Sequence, residues 1–179
     1  MRTGTVICLA GCIALTAPPR AFAAQGIFDE AKIGILDHDI PIGADHDEPG
    51  ADFNGELLFL SPGLLAPVFA PRPHIGVTVN SAGKTSYAYA GLTWLAPVTE
   101  ALFADLGLGG AVHSGPNEST ARDHKGLGTR LLFHESVEIG YRVTPVASVA
   151  VYIDHVSNAD IGKHNPGITN VGLRLGWSL

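Results

Sequence analysis

A chain of 179 residues is long enough for one domain with a real core and too short for two of ordinary size. Its formal charge of −6, from 17 acidic against 11 basic side chains, argues against the basic stripe that binds nucleic acid. The cysteines, Cys8 and Cys12, both lie near the N-terminus, which excludes disulfide and thiolate chemistry from the rest of the chain.

The first residues read as an export signal. Arg2 precedes an uncharged, mostly apolar run from Val6 to Ala17, and Ala21-Phe22-Ala23 offers small residues at the −3 and −1 positions of a cleavage site. The run is shorter than the ~20 apolar residues a membrane-spanning helix needs. Cleavage after Ala23 leaves a single domain over residues 24–179 and removes Arg2 and Arg20, which moves the formal charge from −6 to −8. Leu9-Ala10-Gly11-Cys12 also resembles a lipoprotein processing box. The apolar run ahead of it is shorter than such a box requires, so the signal peptide is the preferred reading.

Beyond the signal, apolar runs are punctuated by Gly, Pro, Asn and Asp, with no long amphipathic helix and no repeat of solenoid period. Strands are expected over Ala31–Asp39, Asp52–Leu60, Pro73–Asn80, Ser86–Leu95 and Leu102–Val112. Leu127–Glu135 with Val137–Arg142 forms either one long strand or a bulged pair, and Ala147–Ser157 and Ile168–Leu179 follow. A count of eight fits the even numbers of bacterial outer-membrane barrels.

The last two strands alternate most clearly. Ala147, Val149, Val151 and Ile153 share one face, opposite Ser148, Ala150, Tyr152 and Asp154. Val171, Leu173, Leu175, Trp177 and Leu179 likewise stand opposite Asn170, Gly172, Arg174, Gly176 and Ser178. Lipid outside and a polar lumen inside give this pattern, and lipid-exposed sheet must close on itself. An all-β, eight-stranded antiparallel outer-membrane barrel is therefore the expected fold. A soluble barrel or sandwich with its apolar face inward is the alternative. Export, positive mean hydropathy and Trp177 near an expected interfacial girdle favour the membrane.

The same parity carries His155 and Ser157 onto the face of Val149, Val151 and Ile153. Residues i and i+2 of a strand project side by side, so an imidazole here can take the proton of a hydroxyl that attacks an acyl carbon. His-x-Ser alone is a weak signal, and two polar groups at an aqueous rim need no special explanation.

Asp154-His155-Val156-Ser157-Asn158-Ala159, followed by Asn165-Pro166-Gly167 and a closing strand, resembles the C-terminal signature of the PagL family of lipid A 3-O-deacylases. The likeness continues through Gly126–Phe133, Glu135, Glu138, Gly140 and Tyr141, and includes Arg72–Gly76 and Tyr89–Trp94. It implies an eight-stranded outer-membrane barrel that hydrolyses the acyl ester at the 3-position of lipid A, at a site on the outer wall. By that resemblance Ser157 is the nucleophile and His155 the general base, while Asn165 and the backbone N–H of Asn158 hold the oxyanion.

One residue departs from the pattern. The family's acid falls four positions after its asparagine, and here that position is Thr169, on the outer face by parity but uncharged. Thr169 can accept the imidazole N–H without charge. Asn170 could serve if a bulge turned it outward, and Asp154 or Asp160 could reach in, although Asp154 has the wrong parity. A catalytically impaired or purely structural or adhesive barrel is thus the alternative to an active esterase.

Lipid A or lipopolysaccharide in the outer leaflet and the membrane itself are the expected partners, with a homodimer as a further arrangement. No cofactor, metal or nucleic acid is expected. Asp37-His38-Asp39 and Asp45-His46-Asp47-Glu48 resemble oxygen-and-imidazole metal clusters, but read better as a solvated acidic loop. His113, His124 and His134 read as loop or rim residues, and Glu135 and Glu138 as lumenal or rim residues. Arg72, Lys84, Arg122 and Lys125 are candidates for contact with lipid A phosphates.

Overall fold

The computed structural model describes residues 26–41, 48–119 and 123–179, so the expected signal over 1–23 and the candidates Asp45, His46, Asp47 and Arg122 lie outside the described residues. The strands are β1 (Phe28–Asp37), β2 (Ala51–Phe59), β3 (Arg72–Asn80), β4 (Tyr87–Pro97), β5 (Leu102–His113), β6 (Leu131–Arg142), β7 (Ala147–Ser157) and β8 (Ile168–Ser178). Each pairs antiparallel with its neighbour in the chain, and β8 returns to β1 with Glu30 opposite Ser178 and Asp37 opposite Val171. Closure satisfies every strand edge, which a sheet facing hydrocarbon requires.

The segment that could have been a bulged pair is one strand. β6 pairs with β5 without a break from Leu131 opposite Val112 to Tyr141 opposite Leu102. Residues 127–130 belong instead to the preceding loop, where Gly128 adopts a left-handed φ of 74°. A register irregularity falls in β1, between Phe28 and Glu30.

The alternation read from the sequence is the alternation of the wall. Along β7, Ala150, Tyr152, Asp154 and Val156 are buried while Val149, Val151 and Ile153 are exposed. The other strands follow: Ile33 and Ile35 of β1 are each 61% exposed and Leu173 of β8 is 62% exposed. Inside stand Lys32, Glu56, Arg72, Asp105, Glu138 and Arg174, all buried. A soluble protein would lose the burial of that whole aliphatic belt, so the inward-facing alternative falls and a lipid-facing wall remains.

The lumen is filled rather than open. Lys32 Nζ lies 2.7 Å from Asp105 and 2.6 Å from Glu138. Arg72 meets Asp29, Glu30 and Asp105 at 3.1, 2.8 and 3.2 Å. Arg174 lies 3.2 Å from Glu56 and 3.3 Å from Glu138 and packs its guanidinium over the Tyr152 ring. Buried charges persist only when paired in this way. Towards the other mouth the filling turns apolar, with Tyr87, Tyr89, Ala111, Leu132, Val156 and Ile168 closing around Leu127.

Both ends of the barrel strands, Phe28 and Ser178, lie at one mouth, together with the short turns 98–101 and 143–146 and the connection 60–71 with its 3-10 helix. The long connections that follow His113 and Ser157 leave from the other. Short turns on the periplasmic side and longer loops outside are the rule for such barrels, which makes the second mouth the external one. Tyr141, Trp177 and the paired rings of Phe28 and Phe59 mark the periplasmic end of the apolar wall.

Candidate active site

His155 and Ser157 end β7 on its outward face, both half-buried, where the strand leaves the apolar wall for the external mouth. From the row of Ala147 and Trp177 to the row of His155 and Thr169 the strand advances eight residues. At ~3.4 Å per residue and a tilt of ~40° this spans about 20 Å of the membrane, close to the ~25 Å apolar band of such barrels. The pair therefore stands at the outer boundary of the hydrocarbon.

Thr169 faces His155 directly across the β7–β8 ladder, and its Oγ1 lies 2.8 Å from the imidazole Nδ1. With the proton on Nδ1, the N–H donates to the hydroxyl and Nε2 keeps a free lone pair, the form a general base requires. The Ser157 hydroxyl makes no hydrogen bond among the described residues. Its Cα is one strand repeat, ~6.7 Å, from that of His155, a separation that rotamers of two adjacent side chains can close.

Beyond Ser157 the chain turns through Ala159 and Asp160, whose φ of 52° and 61° are left-handed. Asn158 secures this turn. Its buried side chain donates to the carbonyls of Leu127 at 2.8 Å and His164 at 2.5 Å, which ties the turn to the residue plugging the barrel mouth. Its backbone N–H donates to Asn165 Oδ1 at 2.8 Å. That bond identifies the amide oxygen of Asn165, so its NH2 is the end left to donate elsewhere. The two asparagines of the expected oxyanion pair are thus coupled to each other.

Gly167 closes the site from the other side. Its φ is 63°, and a Cβ there would stand 2.6 Å from His155 Cε1 and 3.1 Å from Nε2. Only a residue without a side chain leaves the imidazole its place. Nothing in the Asn165-Pro166-Gly167 motif itself signals this proximity of Gly167 to the ring, which arises only when β8 folds against β7.

The other candidates for the missing acid lie elsewhere. Asn170 points inward, fully buried, donating to Tyr87 Oη at 2.7 Å and accepting the Asp39 N–H at 2.9 Å. Asp154 also faces the lumen, where Tyr87 Oη donates to it at 2.5 Å and His134 Nε2 lies 3.3 Å away. Asp160 is exposed in the turn, without a hydrogen bond to His155. Glu138 is lumenal, whereas Glu135 points out of the wall, opposite His155 on the neighbouring strand.

Several polar residues expected at the surface are interior. His134 is fully buried against Tyr89, with ring centroids 4.1 Å apart, and His113 turns inward to bond the Thr129 carbonyl at 2.7 Å. His124 remains in the loop beside Asp123. Arg72 is spent on the lumenal carboxylates, Lys125 bonds Asp39 at 2.5 Å inside the mouth, and Lys84 bonds Asp123 at 2.5 Å. Already matched to carboxylates, these cations are poor phosphate contacts.

His38, Asp39 and Glu48, expected in a solvated acidic loop, are instead buried and form part of that closure. His38 Nδ1 lies 2.8 Å from Asp52 and its Nε2 3.3 Å from Glu48, which also accepts the N–H groups of Thr85 and Lys125. Burial lowers the His38 pKa, but the two carboxylates outweigh it and lift the group to about 9. Burial likewise pushes Glu48 up, and the bonds from His38, Thr85 and Lys125 overcome this to hold it at about 2. Among the described residues no three or more His, Cys, Asp or Glu side chains are grouped to hold a metal ion.

In fold, the barrel is similar to the crystal structure of the outer membrane enzyme PagL, with a TM-score of 0.59 at 18% sequence identity, over 84% of this chain and 99% of that one. It is also similar to a de novo designed transmembrane β-barrel, with a TM-score of 0.55 at 10% identity, over 88% of this chain and 100% of the other. No curated protein matches the sequence. The family model of the lipid A 3-O-deacylases (PagL) matches residues 72–178, from the start of β3 to the end of β8, and so spans the whole site. The chain is a member of the lipid A 3-O-deacylase (PagL) family, built as an outer-membrane β-barrel.

Proposed function

We propose that this protein is a serine-type esterase of the bacterial outer membrane, exported by residues 1–23, that removes the ester-linked 3-O acyl chain of lipid A. The observation that carries the reading is the position of His155 and Ser157, side by side on the lipid-facing wall at its outer boundary, with the imidazole held at Nδ1 by Thr169. A substrate whose acyl chains lie in the outer leaflet reaches that wall by lateral diffusion. Its chain can rest on Val151 and Ile153 below the pair and on Phe133 opposite Ser157.

The chemistry follows from the groups present. Ser157 Oγ forms a bond to the acyl carbon as its proton passes to His155 Nε2, and the carbonyl electron pair moves to oxygen. The Asn165 NH2, oriented through the Asn158 N–H, donates to that oxyanion, a contribution worth roughly 3–4 kcal/mol for one donor. Collapse breaks the bond to the sugar oxygen, which takes the proton from His155. Water then releases the acyl chain by the same steps in reverse order of partners.

Lipid A from cells expressing the protein should lose the mass of one hydroxyacyl chain, and Ser157→Ala and His155→Ala should each abolish that loss. Deacylation that survives both substitutions would sink the assignment. A wild-type barrel that folds but leaves lipid A unchanged would instead favour the structural or adhesive reading, for which the uncharged Thr169 is the motivating observation.

A further inference from the structure

The wall around His155 carries a carboxylate on the side away from Thr169. In the β6–β7 ladder Glu135 is the direct partner of His155, and both project outward. Directly opposed residues on one face of an antiparallel pair have Cβ atoms ~4.5–5.5 Å apart, within reach of a long side chain. The remaining neighbours of Glu135 on the outer wall are apolar. Leu108 opposes it on β5, and Phe133 and Val137 flank it along β6. Its nearest polar neighbours on that face are therefore His155 and, on the diagonal, Ser157.

The described residues offer this carboxylate no partner of its own. Among the described residues it takes part in no hydrogen bond or ion pair, in contrast to Glu56 and Glu138 inside the barrel. A charged group on a lipid-facing wall is unfavourable, and near the interface it persists at little cost only beside water or a partner. Packing against the apolar wall does not call for a carboxylate here, whereas a cation that forms on His155 would give it a partner.

We propose that Glu135 supplies the negative charge that the third member of the site lacks, as a positioning residue that stabilises His155 when it becomes an imidazolium. The inference rests on the Ser157–His155 reading and divides one task between two strands. Thr169 accepts from Nδ1 and sets the tautomer, while the Glu135 carboxylate stands across the ring and balances the proton taken from Ser157. No proton reaches Glu135 at any step. Its part is electrostatic, and it acts at the edge of the hydrocarbon, where water screens less than in bulk solution.

The test uses the full-length barrel in detergent micelles with lipid A bearing its 3-O acyl chain, and folding is checked by the heat-induced gel shift. Glu135→Gln should lower kcat by about 10- to 100-fold with KM little changed, because the carboxylate acts on the charge that forms and not on the bound ester. Glu135→Asp, which keeps the charge, should recover most of the rate. Thr169→Glu placed in the Glu135→Gln barrel should restore it by supplying the charge from β8.

Wild-type kcat in a folded Glu135→Gln barrel overturns the proposal, as does a loss that neither Glu135→Asp nor Thr169→Glu repairs. A wild-type barrel without measurable turnover overturns it too, since the site would then lack the charge Glu135 is said to give. Activity that persists in Ser157→Ala strikes the underlying assignment instead. Activity lost in Ser157→Ala but intact in Glu135→Gln strikes the role of Glu135 alone.

Discussion

His155 Nδ1 lies 2.8 Å from Thr169 Oγ1, straight across the β7–β8 ladder at the outer boundary of the apolar wall. A neutral hydroxyl there can fix the tautomer of the imidazole but cannot answer its charge. Thr169→Glu in the otherwise unaltered barrel is therefore expected to raise kcat. Thr169→Val, which keeps the shape and deletes the acceptor, is expected to lower it by about 10-fold. Initial rates of hydroxy fatty acid release measure both. A Val variant as fast as the wild type would show that the hydroxyl sets nothing.

The coupling of Asn158 to Asn165 separates two roles that an alanine scan would merge. Asn165→Asp keeps an oxygen to accept the Asn158 N–H but replaces the NH2 with a second anionic acceptor. If the NH2 meets the oxyanion, Asp should cost at least as much as Ala, about 10²- to 10³-fold in kcat, with the turn intact. An Asp variant close to wild-type rate would mean that Asn165 serves only to hold the turn.

Gly167 is a position where activity should fall faster than stability. Alanine there carries a left-handed penalty of about 1–2 kcal/mol and drives its Cβ against His155 Cε1. Displacing an imidazole by even ~1 Å can cost about 10²-fold in rate. Gly167→Ala should therefore yield a barrel that still shifts on heating but turns over about 10²-fold more slowly. Equal losses in melting midpoint and rate, converted to the same scale, would argue that the contact with the ring is incidental.

The external closure has its own pH window. His38, held at about 9 when folded, contributes stability that is complete below its ordinary value near 6.5 and is lost as pH rises through 9. Glu48, held at about 2, contributes stability that is complete above its ordinary value near 4.5 and is lost as pH falls through 2. Closure should thus be firmest between about pH 4.5 and 6.5. The His38 part is worth on the order of 3 kcal/mol across its span. Protection factors of the Thr85 and Lys125 amides, which both donate to Glu48, report it directly. His38→Gln should abolish the alkaline decline, and a decline that persists would assign it to another group.

Chemistry carried within a single strand was legible before any pairing was known. A period of two decides which side chains of β7 face lipid, so Val149, Val151, Ile153, His155 and Ser157 were assigned to one wall and Thr169 to the same wall on β8. The outward exposure of those strands bears this out. Where two strands had to be related, the reading ran short. The sequence of β6 leaves Glu135 between lumen and rim, because its meeting with His155 depends on the β6–β7 register, which no pattern inside β6 encodes.

The alternation, the strand-and-turn punctuation and the adjacency of His155 and Ser157 are written in the sequence, because each follows from local backbone geometry. The tertiary structure alone decided the rest. Closure of β8 on β1 turned the polar faces into a filled ion network, which is why Arg72 and Lys125 are interior although nothing in their local sequence says so. It also brought Leu127 into the mouth beneath Asn158, and Gly167 against the imidazole. Those contacts join residues distant in the chain. They exist because a closed wall leaves a volume that must be filled, and charges that must be paired, by whatever the loops bring to it.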